Sequence, residues 1–303
     1  MAFAYRGFVH LMISVSEGEL VGAACSLVWA TSATLVRTQS FKISPGLMNA
    51  LRCAAASVMF WFILGLFGSV DAYVGLTVNE WLLLTGSVII GISIGDTLYL
   101  WSIREIGPSR TMALVGIVPL PTLVFEYFLL DQPFPTRFIA GCFLVVAGVA
   151  CLSRRGAEGE TISGRLKLGV ILSLSATVLW GLSTVMIKPA IANLTPVEAN
   201  SVRMPLVAAL LFGGYILTRA PSEEPPTFRT GVIVASTGLL GMGLGSFLFL
   251  KSISMIGPTK TAVLGALAPV FTMALSAVFL KERITGVAAA GVFLCIGGVL
   301  LVL

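Results

Sequence analysis

Residues 91–114 read GISIGDTLYLWSIREIGPSRTMAL, and residues 241–264 read GMGLGSFLFLKSISMIGPTKTAVL, the same stretch 150 positions later. Eleven of the 24 positions are identical, among them Gly91 with Gly241, Gly95 with Gly245, Gly107 with Gly257 and Pro108 with Pro258. Drift within a hydrophobic composition exchanges Leu for Val; it does not hold Gly and Pro in register. Toward the C-terminus the same offset pairs Pro119 with Pro269, Gly141 with Gly291 and Gly148 with Gly298. Toward the N-terminus the offset becomes 151 and pairs Trp29 with Trp180, Arg37 with Lys188, Pro45 with Pro196, Asn49 with Asn200 and Arg52 with Arg203. The chain therefore contains two copies of one unit. The expected division is an extension over 1–17, a first repeat over 18–153, a polar linker over 154–165 and a second repeat over 166–303.

The solvent for both copies is lipid. Of 303 residues, 57% are hydrophobic and 11% are charged, and the mean hydropathy is +0.99. Soluble domains carry about 25% charged residues, so too little charge is present to cover a globular surface in water. Apolar runs close to the roughly 17–25 residues that cross a bilayer as a helix follow one another with short polar gaps. They cover 20–36, 46–67, 81–103, 108–130 and 138–153, then 168–187, 197–217, 231–253, 258–280 and 285–303. Alternating runs of about ten residues, the mark of a membrane barrel, are absent. The sequence predicts an all-α integral membrane protein with ten transmembrane helices. Five helices per copy is an odd number, so the second copy enters from the opposite face. Two inverted five-helix repeats follow, a recurring design of secondary transporters that places the substrate near the midplane between the halves.

At the level of motif, the two halves resemble EamA repeats of the drug/metabolite transporter superfamily, over about 20–153 and 166–303. The resemblance rests on Trp29 and Trp180 in the first helix of each half, on IGPSRTMALVGIVPL (106–120) and IGPTKTAVLGALAPV (256–270), and on LKERIT (280–285) followed by spaced glycines. The matching stretch of the first half is LDQPFP, with Gln132 where the family has Glu. The resemblance implies ten helices and the export or exchange of small metabolites. Small multidrug members of the superfamily carry a proton-binding glutamate inside the first helix. Here Glu17 and Glu19 precede that helix and no acid follows in it or in the sixth, which leaves Asp96 as the remaining deep acid.

Charges inside membrane helices cost about 2.5–3.5 kcal/mol each on insertion scales and therefore mark candidate sites. Arg52 and Arg203 lie six residues into equivalent helices of opposite halves. They either snorkel to the nearer surface or border a central pathway and grip carboxylate or phosphate oxygens with their planar guanidinium groups. Asp96, at the same depth as Arg52, is expected to pair with it; its equivalent is Ser246, which leaves Arg203 without a matching acid. Asn49 and Asn200, one turn from the arginines on the same helix face, either line the route or bond between helices. Trp29 and Trp180, well inside their helices, either pack on the opposite half or line the cavity. Glu126, near the end of the fourth run, is expected to reach water. The spacings Gly91 to Gly95 and Gly241 to Gly245 read as close helix packing or a hinge.

Other classes lack their residues. Basic residues stand singly or in pairs at the ends of apolar runs, which argues against nucleic-acid binding. Cys25, Cys53, Cys142, Cys151 and Cys295 have no CxxC spacing and read as packing residues. His10 is the only histidine. No cofactor or metal is expected, and no catalytic residue. The alternative reading, a membrane-embedded enzyme acting on a lipid or acyl substrate, needs a nucleophile and base or metal ligands, and with one His outside the spans, no HExxH and only Asp96 deep in a helix the inventory for it is poor. The expected partners are a small-molecule substrate and the bilayer, for a monomer or homodimer that crosses the plasma membrane many times. Five basic residues fall on the face of the N-terminus and twelve on the other. By the positive-inside rule that count places both termini outside, whereas the family resemblance implies cytoplasmic termini.

Overall fold

The computed structural model describes residues 16–39, 42–157, 165–218, 226–279 and 286–303. Most of the expected 1–17 extension, the centre of the 154–165 linker and the LKERIT motif lie outside the described residues. All regular elements among them are helical. In chain order these are α1 (Glu17–Arg37), α2 (Pro45–Phe67), a short 3-10 turn (Val70–Tyr73), α3 (Val78–Ile106), α4 in two parts (Pro108–Val115 and Pro119–Leu129) and α5 (Thr136–Ala157). The second half has α6 (Leu166–Ala190), α7 (Pro196–Thr218), α8 (Phe228–Ile256), α9 in two parts (Pro258–Gly265 and Ala268–Phe279) and α10 (Gly286–Val302).

By length and apolarity, seven of these segments suffice to cross a membrane, against ten expected from the apolar runs: Glu17–Val36, Pro45–Phe67, Val78–Ile106, Arg110–Leu129, Leu166–Ala190, Pro196–Leu217 and Phe228–Ile256. Thr136–Leu152 and Gly286–Val302 are shorter apolar helices. The helices α1, α3 and α8 begin three residues before their apolar runs because polar caps start them. Ser16 and Glu19 form a reciprocal capping box at α1, with Ser16 N–H donating to Glu19 Oε2 at 2.8 Å. Thr77 with Glu80 does the same at α3, and Thr195 N–H donates to Glu198 Oε2 at 2.7 Å at α7. Each box satisfies N–H groups that a helix start leaves without partners.

The repeated IGP triplet makes the sharpest turns. Gly107 and Gly257 have φ of 85° and 87°, in the region where a Cβ is unwelcome, and each ends one helix while the following proline opens the next. Both α3 and α8 wind as π-helix for eight residues at their centres, Ile89–Asp96 and Gly238–Gly245. π-Helical turns inside α-helices are rare and concentrate at functional sites.

Packing exchanges partners between the halves. α1 packs on α8 and α9, while its equivalent α6 packs on α3 and α4; α2 packs on α7, and α5 on α10. The α5–α10 seam is built from glycines. A Cβ at Gly141 would lie 2.6 Å from the Gly298 carbonyl oxygen, and one at Gly148 would lie 2.6 Å from that of Gly291. The order of these contacts is reversed, the earlier glycine of α5 meeting the later glycine of α10, so these two equivalent helices run antiparallel. Around the seam Phe138, Cys142, Val145, Val149, Val263 and Cys295 form a buried apolar cluster.

Candidate functional site where the halves cross

Trp29, Asn49, Arg52, Asp96, Trp180, Asn200 and Arg203 lie on α1, α2 and α3 or on their equivalents α6 and α7, and most of them converge on the two π segments. The Trp29 indole N–H donates to the Gly241 carbonyl at 3.2 Å, and that of Trp180 donates to the Gly91 carbonyl at 3.1 Å. Buried carbonyls require a donor, and here the opposite half supplies it. Trp29 stacks on Phe249 with ring centroids 5.0 Å apart, and Trp180 on Tyr99 at 5.2 Å. The glycine spacing explains itself at this contact. A Cβ at Gly95 would come within 2.9 Å of the Trp180 ring, and one at Gly245 within 2.6 Å of Trp29 Nε1. At Gly91 and Gly241 the conflicting atoms are the hydroxyls of Ser183 and Ser32. These serines donate to the Ser87 and Thr237 carbonyls at 2.7 and 3.1 Å. The tryptophans thus pack on the opposite half, and the second glycine of each motif makes room for an indole.

Arg52 and Arg203 do not snorkel: their exposures are 8% and 2%, and the Nε of each has no hydrogen-bond partner among the described residues. The Arg52 guanidinium reaches α8, where a Cβ at Gly241 would sit 3.2 Å from its terminal nitrogen. Arg203 Nη1 donates to Asn200 Oδ1 at 3.0 Å, and the same oxygen accepts from Ser246 Oγ at 3.0 Å. Asn49 Nδ2 donates to the Ile92 carbonyl on the π segment of α3 at 2.9 Å. The two asparagines therefore have different duties despite equivalent positions. Asn49 is satisfied on backbone, while the Nδ2 of the fully buried Asn200 has no partner.

The expected Arg52–Asp96 ion pair is absent: no nitrogen of Arg52 comes within 4.0 Å of the carboxylate. Asp96 Oδ1 instead accepts the Trp180 indole N–H at 2.8 Å. Equal depth in the membrane was the basis of the expectation, and it leaves the rotation of each helix open. The winding of α3 sends Asp96 toward α6, while Arg52 turns to α8. Exchanging the two charges, Arg52→Asp with Asp96→Arg, is accordingly expected to give no more transport than either single variant. Recovery above both singles in a vesicle assay would restore the direct pair.

Glu126 also departs from expectation. It is 7% exposed and does not reach water. Its Oε2 accepts the Thr259 backbone N–H at 2.8 Å and the Thr259 hydroxyl at 2.5 Å. Lys188 Nζ donates to the Ile253 and Ser254 carbonyls at 3.2 and 2.8 Å. A carboxylate thus holds the start of α9 and an ammonium the end of α8, each matched to the helix dipole it meets. The same face carries the inter-half ion pairs Glu17–Lys251 at 2.7 Å and Glu19–Lys260 at 3.8 Å. This clasp was hidden in the sequence because its partners are a backbone N–H and a hydroxyl, neither of which leaves a charge pattern. No three His, Cys, Asp or Glu side chains meet to hold a metal among the described residues.

Packed helices, seven of them among the described residues long and apolar enough to cross a membrane, with matched indole and arginine positions in two sequence repeats, define a membrane protein of repeat architecture. The EamA-like transporter family matches residues 16–154 and again 167–303. The chain belongs to this family, whose members are membrane transporters and not enzymes. The uncharacterized transporter YetK of Bacillus subtilis is 22% identical over 292 residues, covering 95% of this chain and 88% of YetK. The uncharacterized inner membrane transporter YhbE of Escherichia coli is 25% identical over 139 residues, covering 44% of this chain and 42% of YhbE. One solved crystal structure superposes with a TM-score of 0.78 at 20% identity, covering 95% of this chain and 96% of its own, and supports the fold alone.

Proposed function

We propose that the protein is a secondary transporter, an exporter or exchanger of small organic metabolites such as amino acids or organic anions. It works by alternating access between two inverted repeats, 18–153 and 166–303, which together place ten helices across the plasma membrane. The observation that carries this reading is the antiparallel glycine seam between α5 and α10. Equivalent helices that pack antiparallel fit a two-fold axis in the membrane plane and not one along its normal. Two similar bundles of opposite orientation exchange roles when the protein opens to one face and then the other.

The uneven closure supports the same reading. The second part of α4 packs on the first part of α9, fastened by Glu126; the equivalent pair, the second part of α9 and the first part of α4, does not pack in this way among the described residues. The chain is closed at the face of α1's start. The route runs between Arg52, Arg203, Asp96, Asn49 and Asn200, with Trp29 and Trp180 as its walls. Its partners are the substrate and the bilayer, for a monomer or homodimer, without nucleic acid.

The test is counterflow. Purified protein in liposomes preloaded with a mixed metabolite pool is expected to accumulate labelled members of that pool saturably. No accumulation above empty liposomes, with helical and monodisperse protein, overturns the proposal.

A further inference from the structure

We infer that the membrane-buried arginines hold one oxyanion, a carboxylate or a phosphate, so that the cargo proposed above is a small organic anion or carries one anionic group. The inference rests on that transport reading for its cargo, and on the geometry alone for the oxyanion. Three buried nitrogen donors have no partner among the described residues: Arg52 Nε, Arg203 Nε and Asn200 Nδ2. All three residues are more than nine-tenths buried. They occupy α2 and α7, which pack on each other, and both arginines are anchored along one stretch of α8: Arg52 beside Gly241, and Arg203 through Asn200 on Ser246.

Buried donors are nearly always satisfied, and a buried charge left alone is costlier than a neutral group. Here every orphaned nitrogen is a donor, so the missing chemistry is an acceptor. Two guanidinium groups stand against one carboxylate, that of Asp96, which already accepts from Trp180. The excess is one positive charge, and a single carboxylate or phosphate monoanion neutralises it. Guanidinium groups bind such oxyanions in two places at once.

The asymmetry of the π segments adds to this. On α8, Gly238 lets α2 approach until a Cβ there would lie 2.4 Å from the Arg52 carbonyl oxygen. The equivalent residue on α3 is Val88, which bars so close an approach of α7. Beyond it, on α3, the buried Ser93 hydroxyl also has no partner among the described residues, where the equivalent Gly243 has no side chain.

The experiment uses the full-length protein in nanodiscs of phosphatidylcholine at constant ionic strength, titrated with acetate, benzoate and inorganic phosphate. Tryptophan fluorescence and thermal midpoint are both read. Saturable change in the wild type is expected with at least one of them, weakened tenfold or more by Arg203→Gln. Asn200→Asp, which places a carboxylate in the site, is the second variant; it is expected to abolish the response while retaining the wild-type helix content. No response in the wild type to any of the three anions or to phosphatidylglycerol, or a response in both variants equal to that of the wild type, overturns the inference. If phosphatidylglycerol in the nanodisc stabilises the wild type and not Asn200→Asp while the soluble anions do nothing, the oxyanion site stands and its source is a lipid headgroup. Transport of a neutral or cationic metabolite that is indifferent to both variants removes the anion and leaves the transporter. Anion binding without transport of any metabolite does the reverse.

Discussion

Gly298→Ala is expected to lower the stability of the folded protein by about 1–3 kcal/mol, the cost of overpacking a well-filled contact. Gly297→Ala, one residue earlier in the same helix, is expected to change it by less than about 0.5 kcal/mol. The difference lies in what a methyl group meets. At Gly298 it would lie 2.6 Å from the Gly141 carbonyl oxygen and 2.8 Å from Val145 N, both backbone atoms that cannot turn aside. At Gly297 nothing lies within 4 Å. Lipid gives no hydrophobic drive to join two helices, so close backbone approach is what holds such a seam. The thermal midpoint of the purified protein in detergent, measured for both variants, decides the matter. Equal midpoints would mean that α5 and α10 are not packed through their glycines, and the antiparallel seam on which the inverted arrangement rests would fall with them.

That seam also measures what the sequence could say. Gly141 with Gly291 and Gly148 with Gly298 were visible as repeats, because selection for the absence of a side chain leaves its mark at a fixed offset. The contacts actually made are Gly141 with Gly298 and Gly148 with Gly291. Repetition identifies equivalent residues; only packing tells which of them touch. The helices themselves were legible from apolar runs, with ends displaced by a few residues because Ser16, Thr77 and Thr195 cap them with polar side chains. The interruptions were not. A π segment has the composition of the α-helix around it, and the run at 108–130 gave no sign of a break before Pro119 beyond the proline itself, a residue that membrane helices tolerate.

The site was legible in the same partial way. Charge and Trp inside apolar helices were conspicuous, and the structure places Arg52, Arg203, Asn200 and both tryptophans at the crossing of the halves. The partners were not legible. Arg52 and Asp96 share a depth, but hydrogen bonding depends on rotation about the helix axis, which π winding alters and hydropathy does not report. Glu126 was misjudged for a related reason: four residues from a helix end suffices to reach water only when no neighbouring helix covers that end, and α9 covers it.

Glu126→Ala is expected to open the face at which α1 begins. Its carboxylate accepts two hydrogen bonds from Thr259 at 2.8 and 2.5 Å, and bonds to a charged group are worth about 1.5–3 kcal/mol each. An equilibrium between two facing states shifts only by the difference in what each state contains. The clasp exists when α4 and α9 are joined at this face and is broken when they part, so its loss destabilises the closed arrangement selectively. One bond's worth, about 1.5–3 kcal/mol, corresponds to roughly a 10- to 150-fold change in the population ratio. Glu126→Gln retains an acceptor for the Thr259 N–H but loses the charge at the start of α9, an interaction of about 0.3–1 kcal/mol, and is expected to fall between wild type and Glu126→Ala. The measurement is labelling of a cysteine introduced as Ser93→Cys, in a background without the five native cysteines, by an impermeant maleimide applied from each side of sealed vesicles. Labelling from the α1-start face should rise by tenfold or more in Glu126→Ala and fall from the other face. Unchanged labelling from both faces would show that Glu126 only anchors α9, and that closure at this face is held by the ion pairs of Glu17 with Lys251 and Glu19 with Lys260.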